Sequence, residues 1–298
     1  MINFDTLKVV FFGTPEVSTY ALQALIDDER FDVTAVVTQP PKPVGRKQEV
    51  TRSPIHELAV ANKIDVLVPT KAKEAMDELG QIKAELHIVV AYGQILPNEL
   101  VIMPDYGTLN IHPSLLPRWR GAAPVPATIL AGDKESGVCI MLMDDKMDHG
   151  PILSVQRAVV GRKTTAQLLP ELMKLGAERL PDVANEWAKE RMTPKAQNHD
   201  VATFSKMMSR EDAHIDWEKP INEIERMIRA YDPWPGTWTE VEIEGVWKRL
   251  KILRAHLSAS PYPSFKGGGR LVLETSSNET RIGTLVIDEL QVEGKKPI

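Results

Sequence analysis

Near-continuous apolar runs, spaced by segments of helical periodicity, fill the first half of the chain. This alternation restricts its fold more than any other feature. "LKVVFFGT" (7–14), "FDVTAVVTQ" (31–39), "DVLVP" (65–69) and "ELHIVVAYG" (85–93) are richer in apolar residues than half-exposed strands would be. Strands apolar on both sides belong to a parallel sheet whose two faces are covered by helices. The segments between them, "PEVSTYALQALIDD", "SPIHELAVANK" and "AKEAMDELGQIK", place apolar residues at helical spacing. Pro15 fits a first helical position, where its missing N–H would have no partner anyway. "GTLNIHPS", "GVCIMLMDD" and "GPILSVQRAVV" complete the set of strands. Right-handed crossovers then predict an open, mostly parallel α/β sheet with a crevice at the carboxyl ends of its strands.

A long amphipathic helix over 164–190 closes this first domain, and its internal Pro170 and Pro181 suggest kinks or a break. "RMTPKAQNHDVATFSKMMSRED" has no sustained periodicity and reads as a linker. The boundaries expected are a domain at 1–191, a linker at 192–209 and a second domain at 210–298. After a helix around "PINEIERMIRAY", short alternating runs ("TWTEVEIEG", "WKRLKILRAHL", "GRLVLETSS", "TRIGTLVIDELQV") are separated by Gly, Ser, Pro and Asn. That pattern marks a small antiparallel barrel or sandwich.

Of the 298 residues, 43% are hydrophobic and 26% charged, and no tract reaches membrane-spanning length. The N-terminal "MINFDTLKVVFF" has an acidic residue before its apolar run and no small-residue cleavage site, so it reads as a first strand in a cytoplasmic protein. The net charge of −5 is unevenly spread: residues 1–245 hold 27 basic and 36 acidic side chains, residues 246–298 hold 9 and 5. The 42–52 loop, with Lys42, Arg46, Lys47 and Arg52 against Glu49, is locally basic. By charge alone this is a solvated loop and tail.

Several chemistries find no support in the sequence. The turn "FGTPE" has one glycine and no GxGxxG, and no acidic residue ends the second strand, "VVTQPP". The seven histidines form no HxxxH or HExxH and thiol ligands are absent, so no metal is expected. The lone Cys139, inside "GVCIMLM", reads as a core thiol, and His87 alternates into a strand core.

One stretch stands out. In "TLNIHPSLLPRWRGAAP" (108–124), Asn110 and His112 lie two apart on a strand and so share a face. They sit at its carboxyl end, before a stiff turn from Pro113 to Pro117. An amide donates to a carbonyl oxygen becoming an oxyanion, an imidazole polarises the same centre or moves a proton, and a carboxylate orients that imidazole. Asp148, in the turn "DDKMDHG", supplies the carboxylate. This is acyl-type transfer chemistry, and no Ser or Cys nucleophile is in evidence. Arg118 and Arg120 fit either phosphate or acid-group contacts or local carbonyl capping.

Asn110, His112 and Asp148, with "SLLPRWRGAAP" between them, closely resemble the signature of the formyltransferases that use 10-formyltetrahydrofolate. "FFGTPE", "TQPPKPVGR", "VVAYGQILP", "FSKMMSREDAHIDW" and "IRAYDPWPGTW" extend the resemblance over nearly the whole chain, toward the branch of that family that formylates initiator methionyl-tRNA. The resemblance implies a Rossmann-like catalytic domain followed by an OB-like C-terminal domain that supports the tRNA. It implies catalysis by Asn110, His112 and Asp148, with the oxyanion on Asn110 helped by His112. A folate pocket is implied from Ser114, Leu115, Leu116, Pro117, Tyr92, Gly93 and Ile95, and tRNA contacts from Lys42, Arg46, Lys47 and Arg52. A monomer without metal is the family expectation. A 10-formyltetrahydrofolate hydrolase or an amino-sugar formyltransferase would keep the same trio but have no reason for the basic loop. The sequence departs from the pattern at Glu49, at His149 where a small hydroxyl residue is usual, and after "VEGKKPI", where a shortened barrel is expected.

Overall fold

The computed structural model describes residues 6–44, 49–258, 272–273 and 284–297. Its strands are β1 (Leu7–Gly13), β2 (Phe31–Val37), β3 (Lys42–Val44), β4 (Glu49–Thr51), β5 (Asp65–Leu67), β6 (Leu86–Val90), β7 (Thr108–His112), β8 (Arg120–Gly121), β9 (Glu135–Leu142), β10 (Ile152–Val159), β11 (Phe204–Ser205), β12 (Trp238–Ile243), β13 (Val246–Ser258), β14 (Val272–Leu273) and β15 (Thr284–Val292). The helices are α1 (Thr19–Ile26), α2 (Pro54–Ala61), α3 (Met76–Ile82), α4 (Asn98–Val101), α5 (Pro124–Ala131), α6 (Thr165–Ala188) and α7 (Ile221–Ala230).

The main sheet has seven strands in the order β10-β9-β7-β6-β1-β2-β5. β1 is parallel to β2 and β6, β2 to β5, and β6 to β7, whereas β9 is antiparallel to its neighbour β7. The chain winds outward from β1 through β2 to β5, then crosses back to place β6 on the other side of β1 and β7 beyond it. The carboxyl ends of β1 and β6 therefore form a topological switch point, where ligands bind in such sheets. Contacts across it are polar: Thr14 Oγ1 donates to the Tyr92 carbonyl (2.9 Å) and Ser18 Oγ to the Val90 carbonyl (2.7 Å).

The expected double burial is observed. β6 is buried at every position, and Val10, Phe12, Val37, Leu79, Val89 and Leu100 share one core cluster. His87 lies within this core, 1% exposed, its Nδ1 3.2 Å from the Leu100 carbonyl and its ring edge-on to Phe12. α2 starts where its sequence says it should: Ser53 caps the His56 N–H and Pro54 follows at the first position. α6 runs unbroken through Pro170 and Pro181, so of the two expected alternatives the break does not occur. Its buried stripe of Leu168, Leu172, Met173, Leu180 and Val183 explains this, because packing of that face outweighs the lost backbone bonds.

The chain divides into two compact units. The first comprises Met1–Gly121, Ser136–Ala158 and Leu169–Phe204; the second comprises Ala122–Glu135, Val159–Leu168 and Ser205–Ile298. The second contains the sheet β12-β13-β15-β14, antiparallel at each pairing, with a core of Ile215, Ile224, Ile228, Leu250, Ile252 and Leu285. Within it α7 buries Glu225 under the guanidinium of Arg229, whose Nε and Nη2 each donate at 2.9 Å.

Candidate active site

Register places the site. Asn110 on β7 lies opposite Val89 on β6 and Met141 on β9, and His112 lies opposite Cys139. Directly paired residues share a face, so the two polar side chains rise beside an apolar floor of Leu116, Cys139 and Met141. Burial raises the Cys139 thiol to about 11, which removes it as a nucleophile at neutral pH and agrees with its reading as a core residue. Asn110 is half-buried, and its amide has no intramolecular partner among the described residues. His112 is 5% exposed.

The turn after β7 is tied at both ends. Ser114 N–H donates to the His112 carbonyl (2.9 Å), Ser114 Oγ to the Arg118 carbonyl (2.7 Å) and Arg118 N–H to the Leu115 carbonyl (3.0 Å). Beyond it Trp119 takes a positive φ of 59°, which reverses the chain. The next three residues form a hub. His112 Nε2 lies 3.0 Å from the Trp119 carbonyl; a carbonyl only accepts, so Nε2 carries the ring proton. Nδ1 then faces Asp148 Oδ1 at 3.5 Å. The other carboxylate oxygen of Asp148 accepts the Gly121 N–H at 2.6 Å. Segment 119–121 thus grips both ionisable members of the trio through its backbone.

Asp148 reaches this position from a short excursion between β9 and β10. Leu142 N–H donates to the Pro151 carbonyl (2.9 Å) and closes the excursion. Gly150 packs so tightly there that a Cβ would stand 2.0 Å from the Leu142 carbonyl oxygen, so only glycine fits. Beside it His149 Nδ1 pairs with Asp144 (2.6 Å), and its ring stacks on His199 with centroids 3.9 Å apart and planes within 3°.

The remaining predicted residues are distributed as follows. Ser114 is fully buried, with its hydroxyl already committed, and Leu116 belongs to the apolar floor. Tyr92 packs its ring on Phe12 inside the core; its hydroxyl is buried without a partner and burial pushes it up to about 12. It borders the crevice through its backbone, where its carbonyl accepts from Thr14 and from Gln39 Nε2 (3.0 Å). Gly93 follows with φ 82°, and Ile95 projects into solvent, 85% exposed. Arg120 is 4% exposed and its guanidinium binds Gln197 and His199, a local structural use. Arg118 is exposed and lies over the Trp119 ring. Lys42 opens β3, paired with Thr51 of β4, and Arg52 directly follows β4, while Arg46 and Lys47 lie outside the described residues. Sequence reasoning missed Trp119, Gly121 and Gln197, because two act through the backbone and the third through an ordinary amide.

Fold and site together define an α/β enzyme arranged for attack on a carbonyl carbon. The chain belongs to the formyl transferase family: the formyl transferase model matches residues 7–183, and the model of the formyl transferase C-terminal domain matches residues 207–298. The methionyl-tRNA formyltransferase of Roseiflexus castenholzii is 39% identical over 300 residues, covering 98% of this chain and 94% of the relative. The protein of the same description from Pseudoalteromonas translucida is 38% identical, with 98% and 91% covered. Among solved structures, the N-formyltransferase of Helicobacter canadensis in complex with folinic acid and dTDP-3-aminofucose aligns with a TM-score of 0.69 at 18% identity, over 95% of this chain and 99% of that one. HypX of Aquifex aeolicus in complex with tetrahydrofolic acid aligns with a TM-score of 0.62 at 16% identity, over 99% of this chain. This chain spans 46% of HypX's length. At such identities the two structures share its fold. Among the described residues no helix is long and apolar enough to cross a membrane.

Proposed function

We propose that this chain transfers the formyl group of 10-formyltetrahydrofolate to the α-amine of methionyl-initiator tRNA. The observation that carries the chemistry is the His112–Asp148 pair beside the unpartnered amide of Asn110, at the carboxyl ends of parallel strands. Similarity over nearly the full length to two methionyl-tRNA formyltransferases supports the choice of acceptor.

The residues present fit a formyl donor, which supplies an activated one-carbon carbonyl. The floor of Leu116, Cys139 and Met141 is apolar and buried, and the 113–117 turn is fixed by its own hydrogen bonds and prolines. Asn110 donates its amide N–H to the formyl oxygen as negative charge develops there; such a donor contributes about 10²- to 10³-fold to rate. His112 has no ring nitrogen left for that oxygen, so its part is the proton. Nδ1 and Asp148 Oδ1 hold between them a proton taken from the attacking amine and return it to the leaving nitrogen. The folate pocket is assigned to Ser114, Leu115, Leu116 and Pro117 with the backbone around Tyr92, Gly93 and Ile95. Lys42, Arg46, Lys47 and Arg52 are assigned to tRNA phosphates. The chain acts as a cytoplasmic monomer, with 1–191 catalytic, 192–209 a linker and 210–298 the OB-like tRNA-binding domain.

The test is formyl transfer from 10-formyltetrahydrofolate to methionyl-initiator tRNA, with donor hydrolysis followed in the same reaction. Transfer that disappears in His112→Ala supports the reading. Tetrahydrofolate release with no formyl on the tRNA would move the assignment to a hydrolase, and transfer only to an amino sugar would move it to that acceptor.

A further inference from the structure

Gln197 lies in the stretch whose sequence reads as a featureless linker, yet it is 6% exposed and all four of its side-chain hydrogen-bonding positions are used. Nε2 donates to the carbonyls of Asp148 (2.9 Å) and Gly150 (2.7 Å). Oε1 accepts from Arg120 Nε (3.1 Å) and Nη2 (2.7 Å). The amide has one possible orientation, because carbonyls only accept and a guanidinium only donates. Arg120 is buried in turn, and its backbone N–H donates to the Thr203 carbonyl at 2.9 Å.

One of the two carbonyls held by Gln197 belongs to the residue whose conformation most needs holding, and the other lies two residues further along the same turn. Asp148 has φ 48°, a left-handed conformation that costs a non-glycine residue about 1–2 kcal/mol. Its side chain is held at Oδ2 by Gly121, and only Oδ1 is left to meet His112. The Gln197 donations fix the backbone from which that carboxylate projects. Without them the turn is free to relax toward an ordinary φ, which swings Oδ1 away from Nδ1.

We infer that Gln197, oriented by Arg120, is a positioning residue for catalysis that acts through Asp148. This rests on the proposed role of Asp148 in moving the proton, and it makes the 192–204 segment part of the catalytic apparatus. A carboxylate or imidazole displaced by about 1 Å costs about 10²-fold in rate. Gln197→Ala therefore lowers kcat by about 10²-fold and leaves KM for both substrates within about threefold, since the group touches neither.

A double-mutant cycle of Gln197→Ala with Asp148→Asn tests this. Kcat is normalised to folded protein and read on whichever acceptor, tRNA amine or water, the unsubstituted protein uses; a failed acceptor assignment thus leaves the cycle standing. Support is a large loss from Gln197→Ala in the parent and less than about twofold further loss in Asp148→Asn. An equal fractional loss in both backgrounds overturns the inference, as does a lower melting point with kcat intact. Full activity in Asp148→Asn removes Asp148 from the reaction and the inference with it. Should Gln197→Ala fail to fold, Gln197→Glu serves: it keeps the acceptor for Arg120, loses both donations to the turn, and is expected to show the same kcat loss and the same non-additivity.

Discussion

His112 and Asp148 meet across 3.5 Å from Nδ1 to Oδ1, and each is pinned on its far side by backbone of the same three-residue segment, Trp119 to Gly121. The pair is therefore set by one rigid hub and not by two independent loops. Asp148→Asn keeps the Gly121 contact through its amide oxygen and loses the charge that holds the proton. Kcat should fall about 10²- to 10⁴-fold, with the donor still bound. Steady-state kinetics beside equilibrium folate binding checks this; near-parent kcat would exclude Asp148 from proton transfer.

Asn110 offers a cleaner separation of chemistry from stability. Its amide has no partner in the protein among the described residues, so Asn110→Ala removes no intramolecular hydrogen bond. The melting temperature should stay close to the parent's while kcat drops about 10²- to 10³-fold. A variant that loses stability and rate together would point to a structural amide instead.

Much of this arrangement was legible in the sequence. The βαβ alternation predicted the parallel sheet, and the spacing of Asn110 and His112 predicted their shared face, because both follow from periods of backbone geometry. Asp148 could be nominated from its turn as a carboxylate, but its pairing with His112 rested on the resemblance, since nothing local says that a turn after β9 returns to β7. The hub escaped notice because the Trp119 carbonyl and the Gly121 N–H exist in any sequence. Gln197 escaped because a stretch without periodicity reads as linker even when its side chains are buried. Tyr92 shows the opposite error of emphasis: it is in the predicted pocket segment, but its ring serves the core and only its backbone borders the crevice.

Gly150 tests how the Asp148 turn is closed. In Gly150→Ala the new methyl meets the Leu142 carbonyl at 2.0 Å, against backbone that cannot swing aside. The expected loss is about 1–3 kcal/mol of unfolding free energy, with reduced kcat because Asp148 moves. Gly80→Ala is the control: it lies in α3 with nothing within 4 Å of the added carbon, and should gain about 0.5–1 kcal/mol. Denaturant melts of the two variants should move in opposite directions.

His87 makes the fold acid-sensitive independently of the active site. Burial, partly opposed by the Leu100 carbonyl, lowers its value from 6.5 to about 4. The unfolded chain therefore binds the proton more readily, and unfolding free energy rises with pH in this window. The contribution is fully present above pH 6.5 and is lost progressively as the pH falls to about 4, amounting to about 3 kcal/mol. His87→Leu should flatten the stability profile across that interval while leaving kcat near the parent value at neutral pH. An unchanged slope would locate the acid sensitivity elsewhere.

The hairpin of β3 and β4 carries two basic side chains that the structure describes, and they are not equivalent. Lys42 is bonded to Gln39 Oε1, and Gln39 in turn donates to the Tyr92 carbonyl at the crevice. Arg52 is exposed, and the interaction described for it is a repulsive one with the nearby His56, so its charge is available to a phosphate. If it neutralises one phosphate of a single-stranded or duplex end, Arg52→Ala should reduce the slope of log affinity against log salt by about 0.7–0.9. The affinity loss should be similar for all tRNAs, because a phosphate contact carries no sequence information. Lys42→Ala should change the slope less and should also raise KM for the formyl donor, since it releases Gln39 from one of its contacts beside Tyr92. Salt titrations of tRNA binding for the two variants distinguish these roles; equal slopes in parent and Arg52→Ala would remove Arg52 from the tRNA interface.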